Sequence, residues 1–209
     1  MSVSTAGPVV CVVDDDSSFR RAVERLVRAA GMDAIAYASA QDYLNNFDAH
    51  RAGCLVLDIS MPGQSGLDLQ EALAGEAGAP PIIFITGHGD VPATVQAMKR
   101  GAVEFLTKPV DDIILIDVIR SAIAKDQSNR MARAELAAIQ SRLDTLTARE
   151  SEVLRHVISG RLNKQIAGDL GTVEKTIKVH RSRLMEKLQV RSVAALVRLA
   201  AQAGITPAR

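Results

Sequence analysis

The stretch Cys54-Leu55-Val56-Leu57-Asp58-Ile59-Ser60-Met61-Pro62-Gly63 decides the fold. Four apolar residues, a carboxylate, and then Ser, Pro and Gly read as a buried strand that carries Asp58 at its tip. At the edge of a core the carboxylate avoids being buried unpaired. Three other apolar runs end in the same way. Val9-Val10-Cys11-Val12-Val13 leads into Asp14-Asp15-Asp16, Ile82-Ile83-Phe84-Ile85 into Thr86, and Val103-Glu104-Phe105-Leu106-Thr107 into Lys108-Pro109. Helical patterns separate them, which predicts a parallel sheet with all four polar tips along one edge. In open sheets of this kind the site lies outside the carboxyl ends of the strands. Carboxylates, a hydroxyl and an ammonium converging there point to phosphoryl transfer.

The segments between the strands complete an α/β, flavodoxin-like doubly wound (βα)5 pattern. Ser17 is expected to cap a helix reaching about Ala30, with Phe19, Val23, Leu26 and Val27 inward and Gly31 ending it. A short strand is expected from Ala34 to Tyr37 and a helix opened by Ser39. Gly63 and Gly66 give the loop after Asp58 its freedom, and residues 90–100 should be helical with Pro92 in the first turn. A fifth helix from Asp111 is expected to turn Ile113, Ile116, Ile119 and Ile123 inward.

At 47% hydrophobic and 23% charged residues, the 209-residue chain has an ordinary globular composition and room for one or two domains. No run approaches the ~20 apolar residues of a membrane helix, and the first residues lack a secretory pattern. A cytoplasmic protein with no membrane partner is expected. Cys11 and Cys54 sit within strand patterns and read as small buried hydrophobes. The net charge of +1 hides a division. Residues 1–126 hold 10 Lys/Arg against 17 Asp/Glu (−7), residues 127–146 hold 3 against 2 (+1), and residues 147–209 hold 12 against 5 (+7). An acidic part joined to a basic part suggests a metal or phosphate site in one and nucleic acid in the other.

Asp14, Asp15 and Asp58 brought together would repel unless a cation lay between them, and oxygen ligands beside a phosphate site favour Mg²⁺. Lys108 would neutralise charge on an incoming phosphoryl group, and Thr86 could hydrogen-bond one of its oxygens. Asp58 would be the nucleophile, giving an acyl phosphate. Asp16 reads equally well as a helix cap.

These pieces, with Met61-Pro62, Gly66 and Ile85-Thr86-Gly87-His88-Gly89-Asp90, resemble the receiver domain of two-component response regulators over residues 1–126. The resemblance implies Asp15 as the direct metal ligand and Asp14 acting through water. The Asp58 carboxylate and the Ser60 carbonyl would complete the set, and a sensor histidine kinase would be the phosphoryl donor. It also implies a switch in which Phe105 turns inward as Thr86 moves toward the phosphate. From composition alone, Phe105 is as readily a core residue.

Residues 127–146 read as a helical linker. Ala132, Leu136, Ile139, Leu143 and Leu146 alternate four and three apart, which suits either a short coiled coil or one amphipathic helix packed on its own domain. Residues 147–209 resemble the LuxR/NarL/FixJ class of DNA-binding domain through Leu146-Thr147-Ala148-Arg149-Glu150, Asn163-Lys164-Gln165-Ile166-Ala167, Thr176-Ile177-Lys178-Val179-His180 and Lys187-Leu188. Thr147 and Glu150 have capping-box spacing. A helix from Asn163 to Leu170, a turn at Gly171-Thr172 and a second helix to Leu188 have helix-turn-helix spacing. Lys175, Lys178, Val179 and Ser182 fall on one face. The resemblance implies that Lys178, Val179 and Ser182 approach base edges and that Lys164, Thr176 and Arg181 touch phosphates. As isolated features, these lysines also fit a solvated helix face. The family usually has Ser or Thr where Val173 stands, so the second helix is expected to start early, from Thr172. His180 is expected to be packed and hydrogen-bonded.

The two resemblances together imply a response regulator and not an enzyme. Phosphorylation at Asp58 would shift it toward a homodimer that binds double-stranded promoter DNA, with RNA polymerase as a further partner. A phosphohydrolase of the haloacid-dehalogenase type is the rival enzyme class, but Asp58-Ile59-Ser60 lacks its second carboxylate. A ligand-switched DNA-binding protein would have no need of the acid–lysine set.

Overall fold

The computed structural model describes residues 7–76, 78–87 and 91–208, and the residues divide into two compact units, 1–130 and 131–209. The first unit alternates strands and helices: β1 (Val9–Val13), α1 (Ser17–Ala29), β2 (Asp33–Tyr37), α2 (Ala40–Asn45), β3 (Gly53–Asp58), α3 (Gly66–Leu73), β4 (Ile82–Thr86), α4 (Val91–Lys99), β5 (Glu104–Thr107) and α5 (Asp112–Leu143). The five strands are parallel in the order β2-β1-β3-β4-β5. This is the doubly wound α/β fold read from the sequence. β1, β3 and β4 are buried along their whole lengths, as expected of strands covered on both faces.

Successive side chains point to opposite faces of the sheet and so feed two cores. Cys11, Val13, Leu55, Leu57 and Phe84 meet Tyr43, Leu69 and Ala97 on one side. Val10, Val12, Val56, Ile83 and Ile85 meet Val23, Val27, Leu115, Ile119 and Ile123 on the other. Cys11 and Cys54 are buried free thiols on opposite faces, and burial pushes the Cys11 thiol up to about 11.

Several local expectations change. Asp16, not Ser17, caps α1, accepting from the backbone N–H groups of Ser18 and Phe19 at 2.8 and 3.4 Å. Gly66 is required for close approach instead of loop freedom, since a Cβ there would lie 2.2 Å from the Asp58 carbonyl oxygen. Ile113 is exposed, whereas Leu115, Ile116, Ile119 and Ile123 are buried. Steps of three along a helix drift about 60° each, so a series of isoleucines three apart leaves the buried face. Asp90, where the fourth helix was expected to begin, lies outside the described residues, as do His88 and Gly89 of the motif that precedes it.

α5 continues through the stretch expected as a separate linker helix, running for 32 residues to Leu143. In the second unit follow α6 (Ala148–Ile158), α7 (Asn163–Asp169), α8 (Glu174–Lys187) and α9 (Val193–Gln202). Their core of Val153, Leu154, Ile166, Ile177, Leu184, Leu188 and Leu196 also takes in Ile139, Leu143 and Leu146. Three of the five stripe positions therefore pack within their own unit, while Ala132 and Leu136 are exposed.

Candidate functional site

The parallel register places the strand tips side by side. Val13 pairs with Leu57, Asp58 with Ile85 and Thr86 with Thr107. The Lys108 backbone N–H then donates to the Thr86 carbonyl at 2.7 Å. Asp14, Asp58 and Thr86 are buried, at 1%, 6% and 2% exposure, and Asp15 is exposed. The Lys108 ammonium lies 2.7 Å from Asp14 Oδ2 and 3.1 Å from Asp58 Oδ2, and 4.2 Å from the centre of the Phe19 ring. One cation is thus shared by two buried carboxylates and an aromatic face.

The remaining oxygens are held as firmly. Asp14 Oδ1 accepts the Asp16 N–H at 2.8 Å, and Asp58 Oδ1 accepts the Ser60 N–H at 3.2 Å. Arg20 Nη1 donates to the Asp14 carbonyl. Burial pushes the Asp14 carboxyl above its usual range, and the hydrogen bonds from Lys108 and Asp16 offset this only in part. Burial draws Lys108 down, but its bonds to Asp14 and Asp58 outweigh that and raise it. Asp16 is held low by the two helix N–H groups that it caps.

Carboxylate oxygens of Asp14, Asp15 and Asp58 lie within 4.8 Å of one another. Three hard oxygen donors at that spacing, two of them sharing a single ammonium, fit a divalent hard cation. Asp16 stands outside this cluster as a cap. Ser60 is exposed two residues beyond Asp58, and Phe105 is half-buried against the core on one face of the sheet.

In the second unit, Lys164, Lys175, Lys178, Val179 and Ser182 are exposed, and Thr176 and Arg181 are half-buried. Arg181 Nη1 donates to Asn163 Oδ1 at 3.0 Å, which ties α8 to the start of α7. Ile177, Leu184 and Leu188 are fully buried, so the helix separates into a core face and an exposed face. Its start differs from expectation. α8 begins at Glu174 with Val173 in the cap position and, among the described residues, no side-chain cap. His180 is half-buried, but its Nδ1 has no hydrogen-bond partner among the described residues, so that part of the expectation is not met.

Two charged contacts were not read from the sequence. Glu150 Oε2 accepts the Thr147 N–H at 2.9 Å and the Lys187 ammonium at 2.6 Å, joining the expected capping box to α8. Arg130 donates to Asp126 Oδ2 at 2.7 Å and to the carbonyls of Ala49, Arg51 and Gly78, while Asp126 Oδ2 also takes the Gly53 N–H. The i,i+4 spacing of Asp126 and Arg130 was the only available signal, and exposed pairs share it.

Comparison with known proteins agrees with this division. Residues 10–120 match the response regulator receiver domain and residues 144–200 match bacterial regulatory proteins of the luxR family. The chain belongs to the response regulators that join a receiver domain to a LuxR-type DNA-binding domain. It is 44% identical over 198 residues to nodulation protein W of Bradyrhizobium diazoefficiens, covering 95% of this chain and 87% of that protein. It is 37% identical over 199 residues to the transcriptional regulatory protein FixJ of Azorhizobium caulinodans, covering 95% and 94%. Among solved structures, the response regulator StyR superposes with a TM-score of 0.88 at 46% identity, over 94% of this chain and 100% of that one. Among the described residues, no helix is long and apolar enough to cross a membrane.

Proposed function

We propose that the protein is a cytoplasmic phosphorylation-controlled transcription factor whose phosphoacceptor is Asp58. The observation that carries this reading is the sharing of Lys108 between Asp14 and Asp58 at the carboxyl edge of the sheet. An Asp58 side-chain oxygen attacks the phosphorus of a phosphohistidine on a sensor histidine kinase. The O–P bond forms as the N–P bond breaks, the electron pair stays on the nitrogen, and the ring, which already carries a proton on its other nitrogen, leaves as neutral imidazole. Lys108 pairs with the negative oxygens that develop, and Thr86 hydrogen-bonds one of them. Asp14, Asp15, Asp58 and the Ser60 carbonyl would hold Mg²⁺, which when bound supplies charge neutralisation at the phosphoryl group. Thr86 and Phe105 are the residues through which the receiver would register the phosphate.

Phosphorylation then shifts an existing equilibrium toward a homodimer. Two copies of α8 enter successive major grooves of promoter DNA, with Lys178, Val179 and Ser182 toward base edges and Lys164, Lys175, Thr176 and Arg181 toward phosphates. RNA polymerase would be the partner at the promoter. Incubation with labelled acetyl phosphate and Mg²⁺, followed by sedimentation and gel shift, tests the sequence of events. Stable label on Asp58 with tighter DNA binding is expected. Rapid turnover of a phosphorylated small molecule without stable label would favour an enzyme instead.

A further inference from the structure

Lys108 has a third partner, and it carries no charge. The ammonium lies 4.2 Å from the centre of the Phe19 ring, against 2.7 Å from Asp14 Oδ2 and 3.1 Å from Asp58 Oδ2. The face of an aromatic ring is the negative pole of its quadrupole and attracts a cation within about 6 Å of the centre. That attraction is stronger out of water, and only 21% of the Lys108 side chain is exposed. Phe19 is itself held in place. It stands in the first turn of α1, where the Asp16 cap accepts its N–H at 3.4 Å, and its neighbour Arg20 donates to the Asp14 carbonyl. Its side chain packs beside the core on that face of the sheet.

We propose that Phe19 is a positioning residue that keeps the Lys108 ammonium at the phosphoryl site once the carboxylates are otherwise engaged. This rests on the reading of Asp58 as the phosphoacceptor. A lysine ends a flexible four-carbon stem, and holding it in one place costs rotamer entropy. With no cation bound, Asp14 and Asp58 hold it. A divalent cation among the same oxygens takes up their charge and repels the ammonium. Of the three side chains around Lys108, only Phe19 offers no oxygen, so a hard cation does not compete for it. Nor does the ring change as Asp58 gives up its negative charge to form the acyl phosphate. Phe19 thus acts on a population. Reaction scales with the fraction of molecules whose Lys108 is in place, and the ring keeps that fraction high where the carboxylates no longer do.

Two measurements on the full-length protein separate this role from packing. By NMR, the ring should shift the Lys108 ε-methylene protons upfield, with and without Mg²⁺. In Phe19→Leu that shift should vanish, and the ammonium should stay ordered without Mg²⁺ and become mobile with it. Labelling of Asp58 by acetyl phosphate in saturating Mg²⁺ should be roughly 3–10-fold slower in Phe19→Leu and close to wild type in Phe19→Tyr. Mono-, di- and trifluorophenylalanine at position 19 nearly preserve the volume while draining negative charge from the face, so the rate should fall with each added fluorine. In a Lys108→Gln background fluorination should change nothing. A rate indifferent to fluorine would mean that the ring only fills space, and an equal loss without Lys108 would mean that it acts elsewhere. An ammonium that stays ordered with Mg²⁺ in Phe19→Leu would mean that the carboxylates suffice. Each of these results overturns the inference, and the fluorinated proteins keep the test decisive if Phe19→Leu fails to fold. A wild type that takes no stable label overturns the phosphoacceptor reading itself, and that outcome is visible before any substitution is made.

Discussion

Two charged clusters sit at opposite ends of the same strands and are built on opposite terms. At the carboxyl edge, Asp14 and Asp58 share one ammonium, and Asp15 stands exposed beside them. That cluster is short of positive charge, and burial raises the Asp14 carboxyl. At the amino edge, Asp126 and Arg130 carry one charge of each sign, paired at 2.7 Å. Arg130 reaches three carbonyls in the loops before β3 and β4 as well as its carboxylate partner, which also binds Gly53. A site with excess negative charge has room for a further cation, whereas one whose charges balance fastens α5 to the sheet. The charges are similar and the accounting differs.

The strongest test of that contrast is all or none. Asp58→Asn should abolish labelling by acetyl phosphate while leaving the melting profile close to wild type, since the amide cannot form an acyl phosphate. Mapping by mass spectrometry checks it, and undiminished label elsewhere on the mutant would sink the assignment. The opposite edge should respond in the reverse sense. Asp126→Ala strands the Arg130 guanidinium among carbonyls and should cost the receiver unit about 3 kcal/mol in urea unfolding, with labelling of the folded protein retained. The paired change D126L/R130M should cost less than Asp126→Ala. If Asp126→Ala is nearly neutral, the Asp126–Arg130 cluster is not what secures α5.

Within the acid edge, the comparison narrows to neighbouring residues. Asp15→Ala should weaken Mg²⁺ binding, measured by calorimetry, by roughly 10-fold or more. Asp16→Ala should leave it nearly unchanged, because Asp16 is engaged with Ser18 and Phe19. Equal losses would place the ligand wrongly.

Glu150 offers a pH test in the basic unit. Burial pushes its carboxyl up, but the Lys187 ammonium and the Thr147 donors outweigh this and hold it below the usual carboxylate range. A carboxyl lowered on folding contributes stability above its unfolded pKa and loses it as pH falls through the folded one. Glu150→Gln should therefore cost about 1–2 kcal/mol at neutral pH. The gap from wild type should shrink below about pH 4.3. Thermal unfolding followed by circular dichroism across pH measures it, and a gap independent of pH would mean that the charge contributes nothing.

The receiver fold was legible because continuous apolar runs and polar strand tips are properties of the local sequence. Asp14, Asp58, Thr86 and Lys108 could be placed together once the strands were parallel, since a parallel sheet aligns its carboxyl ends. What could not be read depended on distant partners. Arg130 looked like a linker residue because its acceptors lie 52 to 81 residues away. The cap of α1 passed from Ser17 to Asp16 because both residue types cap well, and spacing alone does not choose between adjacent candidates. The start of α8 at Glu174 shows the converse, a helix that begins, among the described residues, without a side-chain cap.

The linker stripe leaves the subtlest test. A heptad pattern gives the angular position of apolar residues but not whether their partner is the same chain or a second copy. Ile139 and Leu143 pack in the core of their own unit, so charging either would unfold that unit and reveal nothing about dimers. Leu136 is on the same stripe but exposed at 47%, and a surface change there should move stability by no more than about 0.5 kcal/mol. Leu136→Glu is therefore the informative substitution. Asp58 labelling should be intact and the melting temperature close to wild type. If the exposed half of the stripe meets its twin, sedimentation should show weaker self-association of the phosphorylated mutant by a few-fold. Dimerisation and operator binding equal to wild type would mean that the stripe ends its work at Ile139 and that residues before it serve only as helix.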